Sequence, residues 1–344
     1  MPKIFHGLVN YGTQSGLFAR ELRKFGYEAI SVTYQESFKR ITDVELKHGG
    51  NFFQKIFKHL KNYFFLFNCF FQYDIFHFYF GQSLLPRQMD LPFYKIFGKK
   101  VIMEYLGNDI QGYSISVNKY KWTNIAFMMS KSEGEVYDNR ILNRYNNESI
   151  YVNKSIVCAP YLCEFANNST LLPLAIDLNL FQFSRLPNYE KKIRIMHAPT
   201  HRGFKGTSFI EDAVRRLISE GYNLDFDLVE NVKHEELLER YKLCHLFIDQ
   251  IMCGWYGTAT IEAMAIGRPV IVSIRQDYLE YTDFMEEIPT IHADPDNIYE
   301  VLKNTLDCGL EYFQEMGEKS RDFIEKYHDV KLVTKKLVNI YSKL

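Results

Sequence analysis

Gly254-Trp255-Tyr256-Gly257-Thr258-Ala259-Thr260-Ile261-Glu262-Ala263-Met264-Ala265-Ile266-Gly267-Arg268-Pro269-Val270 is the stretch on which the reading of this chain turns. An apolar run of strand character ends near Ile251, a turn with two glycines follows, and helical spacing starts near Thr258. In that geometry the amides of Gly257, Thr258 and Ala259 converge at a helix N-terminus, where they attract an anion. Glu262 lies one turn further in and can accept hydrogen bonds from a diol such as ribose. An ordinary helix cap followed by a surface glutamate fits the same residues, so the segment alone leaves both readings open.

Outward from this point the same alternation recurs. Strands are predicted at 192–198, 224–230, 245–251 and 269–274, with helices at 206–220, 234–243 and 258–266 between them. Two helical patterns, 309–326 and 330–342, close the chain. The first half repeats the rhythm, with strands at 3–9, 27–34, 73–80, 100–106 and 171–176. Residues 184–191 carry a proline and polar side chains and read as a linker. The expected architecture is α/β: two doubly wound Rossmann-like domains, 1–183 and 192–344, facing a cleft, with C-terminal helices of which the last crosses back to the first domain. Ligands then lie at the C-terminal ends of the strands.

A second basic block stands at the end of the strand that opens the second domain: His197-Ala198-Pro199-Thr200-His201-Arg202-Gly203-Phe204-Lys205-Gly206-Thr207. Together with Glu262-Ala263-Met264-Ala265-x-Gly267-x-Pro269-Val270, it resembles the group 1, family four retaining glycosyltransferases of GT-B fold. The resemblance is detailed over about residues 190–342 and mainly one of pattern before that. It implies that Arg202 and Lys205 sit on the diphosphate of a nucleotide-sugar donor. Glu262 then binds the ribose, and the turn at Gly257, Thr258 and Ala259 cradles the phosphates. Breaking a glycosyl phosphate bond leaves charge on the departing diphosphate, and fixed cations lower that barrier.

The same resemblance places Asn231 and Val232, in Asp227-Leu228-Val229-Glu230-Asn231-Val232, on the base-binding loop. It sets Gly12, in the loop Asn10-Tyr11-Gly12-Thr13, beside the transferred sugar. The family pattern Glu-x7-Glu is broken, because the position eight before Glu262 is Gly254. Gln250 and Asp249 are the nearest polar residues to that empty role. The acceptor-side histidine is also lacking; Met103-Glu104-Tyr105-Leu106-Gly107-Asn108-Asp109 falls where it belongs, which leaves Asp109 for that part. The implied activity is transfer of a sugar from a nucleotide-sugar to a glycan or lipid-linked acceptor with retention, in polysaccharide or cell-envelope glycan biosynthesis. A catalytically silent subunit that binds nucleotide sugar or glycan is the alternative, and a sugar-nucleotide epimerase of the same fold is a third.

Composition sets the remaining bounds. At 344 residues, 47% hydrophobic and 24% charged, the chain fits two soluble domains rather than a fibrous or disordered protein. A net charge of -1 excludes a surface built for nucleic acid. Residues 1–184 hold 20 Lys and Arg against 15 Asp and Glu, whereas the rest is acidic. The six cysteines lack zinc-site spacing, and a cytoplasmic location with reduced thiols is expected. No cofactor is implied. Asp225-Phe226-Asp227 spells a metal-binding triad, yet it alternates as a half-buried strand does, and no metal is expected there.

Aromatic residues make up 16% of the chain, and the excess gathers in 52–71. Residues 53, 56, 57, 60, 63, 64, 67, 70 and 71 share one helical face, with Lys55, Lys58 and Lys61 off it. A stripe of this kind serves either as a core face of the first domain or as a contact with an anionic membrane surface, which makes the protein peripheral on the cytoplasmic face.

Overall fold

The computed structural model describes residues 1–34, 41–187 and 192–344; the last four linker residues lie outside the described residues. The strands of the first half are β1 (Ile4–Leu8), β2 (Ala29–Tyr34), β3 (Val44–Leu46), β4 (Ile75–Tyr79), β5 (Lys100–Tyr105), β6 (Lys154–Val157) and β7 (Thr170–Leu171). Those of the second half are β8 (Ile193–His197), β9 (Leu224–Leu228), β10 (Leu246–Ile248), β11 (Val270–Val272) and β12 (Ile291–His292). The helices are α1 (Gln14–Lys24), α2 (Phe52–Gln72), α3 (Leu91–Ile96), α4 (Tyr113–Lys119), α5 (Lys131–Glu148) and α6 (Arg202–Lys205). They continue with α7 (Thr207–Ser219), α8 (His234–Leu243), α9 (Thr258–Ile266), α10 (Ile298–Asp307), α11 (Gly309–Tyr327) and α12 (Val330–Tyr341).

Both sheets are parallel, as the βαβ rhythm requires. The first has seven strands in the order β3-β2-β1-β4-β5-β6-β7 and the second five, β12-β11-β10-β8-β9. Each order reverses direction once, between β1 and β4 in the first and between β8 and β10 in the second. Such switch points open a crevice at the C-terminal strand ends.

Two compact units result, one of residues 1–111, 139–175 and 330–344, the other of 112–138 and 176–329. They are therefore not contiguous, unlike the single boundary drawn at 184–191. The reason lies in which core each segment completes. Val330, Val333, Leu337 and Tyr341 of α12 pack among Ile4, Leu17 and Phe18 in the first unit. In the second, Trp122 stacks edge-on against Phe209 at 5.3 Å, and Lys121 reaches Asp296 at 2.7 Å.

The expected strand at 171–176 shrinks to β7, because the amides that follow take other partners. Ala175 N–H donates to the Gln14 side chain (2.7 Å) and Ile176 N–H to the His328 carbonyl (2.8 Å). Strands β3, β6 and β12 were not predicted; at two to four residues each they carry too little pattern.

The first core contains a buried polar chain. His6 Nδ1 lies 2.7 Å from Tyr79 Oη, and Tyr341 Oη lies within 3.2 Å of His6 and 2.8 Å of His77. Glu104 Oε2 is 3.0 Å from His77 Nε2. Burial pushes the Glu104 carboxyl up to about 8 and the His77 imidazole down to about 3, so both are uncharged at neutral pH.

The core reading of 52–71 is corrected. An N-terminal capping box through Asn51 and Gln54 starts α2, but of the stripe it is the edge residue Phe70 that turns inward, beside Leu66 and Cys69, which lie off it. Leu66, Cys69 and Phe70 are its buried residues, while Phe53, Phe57, Leu60, Phe64 and Phe67 face solvent. Lys58 and Asn62, which lie off the stripe, bond to the carbonyls of Gly49 and Lys47 instead. No helix among the described residues is long and apolar enough to cross a membrane.

Candidate donor-binding site

The second sheet's switch point collects most of the residues singled out above. His197 ends β8 fully buried, its Nδ1–H donating to the Ile248 carbonyl of β10 and its Nε2 accepting the Thr207 hydroxyl, both at 2.8 Å. Burial holds this ring down to about 4, hence neutral, and it acts as a strap between strand end and helix. The chain then turns through Pro199 into α6, which His201 caps by accepting the amide of Phe204 at 3.2 Å.

One turn of helix separates Arg202 from Lys205, so the two cations meet different surroundings. Arg202 is half-exposed and forks onto Glu230 at the end of β9, with contacts of 2.7 to 3.2 Å, and reaches Glu211 at 3.4 Å. The bond to Glu230 raises its pKa and in turn lowers that of the glutamate. Lys205 is buried, and its ammonium lies 2.5 Å from Asp249 Oδ1. The other carboxylate oxygen of Asp249 accepts the Thr260 hydroxyl at 2.6 Å, which ties Lys205 to the first turn of α9. Asp249 thereby takes one of the three ammonium donors.

Gly257 is the N-cap residue of α9, followed by Thr258 and Ala259 in its first turn. Being glycine, Gly257 offers this end no capping side chain of its own. Tyr241 Oη steadies the turn from α8 by donating to the Ala259 carbonyl at 3.3 Å. Glu262, one turn in, accepts from His234 Nε2 at 2.9 Å; His234 begins α8 and was not singled out from sequence. Its place at the start of the helix predicted over 234–243, just after the base-binding loop, was the available signal. Asn231 takes a left-handed conformation (φ 57°) in the turn after β9, with Val232 half-buried beside it.

Gln250 is used within the turn: its amide donates to the Trp255 carbonyl at 2.6 Å. Gly254 has φ 75°, and a Cβ there would lie 2.6 Å from the Arg275 side chain. The guanidinium of Arg275 stacks on Tyr120 at 3.7 Å and binds the Trp122 carbonyl at 2.5 Å, so an arginine occupies the space beside the position where the family pattern has a glutamate. Gly267 ends α9 at φ 90°, where a Cβ would strike the Phe183 ring at 2.5 Å. That contact accounts for the glycine of the Glu262 to Val270 motif.

Two residues stand in the first unit. Gly12 (φ 50°) lies in the turn after β1, its carbonyl taking the Gln14 side-chain amide at 3.0 Å. Asp109 follows β5, and its buried carboxylate accepts the amides of Leu106 (3.0 Å) and Gly107 (2.8 Å). Burial outweighs those bonds and brings its pKa up to about 7. The aspartates of 225–227 are each held by an arginine, Asp225 by Arg194 at 2.9 Å and Asp227 by Arg240 at 2.7 Å.

The two parallel α/β units and the C-terminal helices are those of the GT-B fold. No family model matches the sequence, and no curated protein matches it. Among solved structures, the chain is similar to a sucrose-phosphate synthase from Thermosynechococcus elongatus, with a TM-score of 0.65 and 15% identity over 100% of this chain and 98% of that one. It is also similar to Anabaena HepE in complex with UDP-glucose (TM-score 0.62, 11% identity, 100% of both chains). Staphylococcus aureus TarM, crystallised with UDP among its ligands, gives 0.60 at 10% identity over 99% of this chain and 100% of that one. The likeness is to the structure of GT-B glycosyltransferases, and at these identities it is one of fold.

Proposed function

We propose that the chain is a retaining glycosyltransferase that moves a sugar from a nucleotide-sugar donor to a glycan or lipid-linked acceptor, in polysaccharide or cell-envelope glycan biosynthesis. The observation that carries this reading is the convergence of Lys205, the glycine-started N-terminus of α9 and Glu262 at one switch point. Lys205 and the amides at Gly257, Thr258 and Ala259 take the diphosphate, while Glu262 exchanges His234 for the ribose hydroxyls. Arg202 leaves its exposed carboxylates for the departing phosphate; a solvated pair of this kind is readily given up. Asn231 and Val232 border the base, and Gln250 keeps the turn in shape. Gly12 lines the sugar, and Asp109 acts on the acceptor side through the loop it braces. The UDP-glucose and UDP in the HepE structures support a nucleotide-sugar as donor.

A second reading, a silent nucleotide-sugar-binding subunit, is favoured by Gly254 alone, with arginine beside the family's glutamate position. Thermal-shift screening against a panel of nucleotide sugars tests donor binding: a ligand at 100 times its Kd adds about 2.7 kcal/mol to the folded state. Binding without transfer to any glycan acceptor favours the silent subunit. Product with inverted anomeric configuration would overturn retention, and an epimerised nucleotide sugar without acceptor would overturn transfer.

A further inference from the structure

Helix α2 carries its apolar stripe on the outside. Phe53 is 80% exposed, Phe57 70% and Phe64 69%, and Phe52, Phe67 and Phe71 are open beside them. A phenylalanine presents on the order of 150 Å² or more, so these six leave an apolar surface on the order of 600 Å², at the upper end of what a soluble monomer shows. The patch does not stop at the helix. Phe71 meets Phe97 at 5.8 Å, and Phe97 and Ile96, at the end of α3, are exposed in turn.

Charge distinguishes among occupants. Between Glu45 and Asp74 the sequence has no carboxylate and four lysines, Lys47, Lys55, Lys58 and Lys61. Lys47, Lys55 and Lys61 are exposed, and so is Lys95 on α3. A second copy seated on this face by two-fold symmetry would set lysine against lysine with no acid from the segment to pair them. A bilayer with anionic headgroups accepts both parts: aromatics enter the acyl boundary while lysines stay at the phosphates.

We infer that the exposed face of α2, continued by Phe97 and Ile96 of α3, docks the protein on an anionic lipid bilayer. Leu66, Cys69 and Phe70 of α2 remain packed on the first unit, so docking needs no unfolding. The inference stands on exposure and charge and does not depend on the transferase reading. Each lysine brought to an anionic surface contributes roughly fivefold in partition, so attachment is reversible and salt-sensitive.

The test is flotation of the full chain with vesicles of equimolar phosphatidylcholine and phosphatidylglycerol, beside vesicles of phosphatidylcholine alone, at low and high salt. Strong flotation with the anionic vesicles at low salt, weakened by salt, is expected. The triple variant Phe57→Ser, Leu60→Ser, Phe64→Ser alters only exposed positions, so its circular dichroism and Tm should match the parent while flotation falls more than tenfold. Lys55→Glu with Lys61→Glu should lose the preference for anionic vesicles. Failure of the parent to float with anionic vesicles at low salt overturns the inference. So does a stable dimer in light scattering that the triple variant disperses, since that assigns the face to a second copy.

Discussion

The ammonium of Lys205 and the carboxylate of Asp249, 44 residues apart in sequence, lie 2.5 Å from each other beneath the start of α9. Both are buried, and Asp249 is also bonded to Thr260, so the pair fixes the distance between a cation and a helix N-terminus. Fixed positive charge of this kind needs no reorganisation when a leaving group develops charge.

Removing either cation should therefore slow transfer, with different effects on folding. Lys205→Ala is expected to lower turnover by roughly a hundredfold. It should also destabilise the protein by about 3–5 kcal/mol, because Asp249 is left charged and buried without its partner. Arg202→Ala should lower turnover to a similar degree with little change in Tm, since its pairs are solvated. Steady-state rates beside thermal melts check both, and normal turnover in both variants would refute the phosphate assignment.

Glu262 gives a different signature. A ribose contact is present in ground and transition states alike, so Glu262→Gln should weaken donor binding about tenfold and leave kcat nearly unchanged. Calorimetry with the donor and saturation kinetics separate the two effects. A large loss of kcat at unchanged donor affinity would instead make Glu262 a participant in the chemistry.

Transfer should persist in chelator. Arg202, Lys205 and the start of α9 provide the positive potential that a divalent ion supplies elsewhere, and Asp225 and Asp227 are each engaged by an arginine. Strict dependence on magnesium or manganese, lost in both Asp225→Asn and Asp227→Asn, would revive the metal reading.

The buried pair in the first core makes stability depend on pH in a stated direction. Glu104 has a folded pKa raised to about 8 from 4.5, so its favourable protonated state is fully available below 4.5 and is lost as pH rises toward 8. His77, lowered to about 3 from 6.5, acts oppositely: its neutral form is unopposed above 6.5 and is penalised as pH falls toward 3. Glu104→Gln removes the first dependence. The Tm of this variant relative to the parent should therefore climb between pH 4.5 and pH 8, and a constant difference across that window would refute the assignment.

Parts of this protein could be read before any contact was known. Apolar runs of five or six residues set at helical intervals identify a parallel α/β chain, because a strand buried on both faces and a helix buried on one leave distinct periods. The run from Gly254 to Val270 likewise marks a strand end, a turn and a helix start, since its glycines meet local backbone demands at φ 75° and 90°. Its anion-binding geometry is a property of any such helix start, and that too is local.

What the tertiary structure alone decided depends on partners distant in sequence. The last helix is expected on the first domain and lies there, but its pattern does not show that Leu17 and Phe18, some 300 residues earlier, complete its apolar face. Asp249 could not be read as the brace of Lys205, nor His234 as the partner of Glu262, for the same reason. The stripe of α2 is the clearest case. Its period shows that one side of the helix is apolar, yet periodicity has no sign: inside and outside give the same spacing. Only the packing of Leu66, Cys69 and Phe70 against the first unit turns the phenylalanines toward solvent.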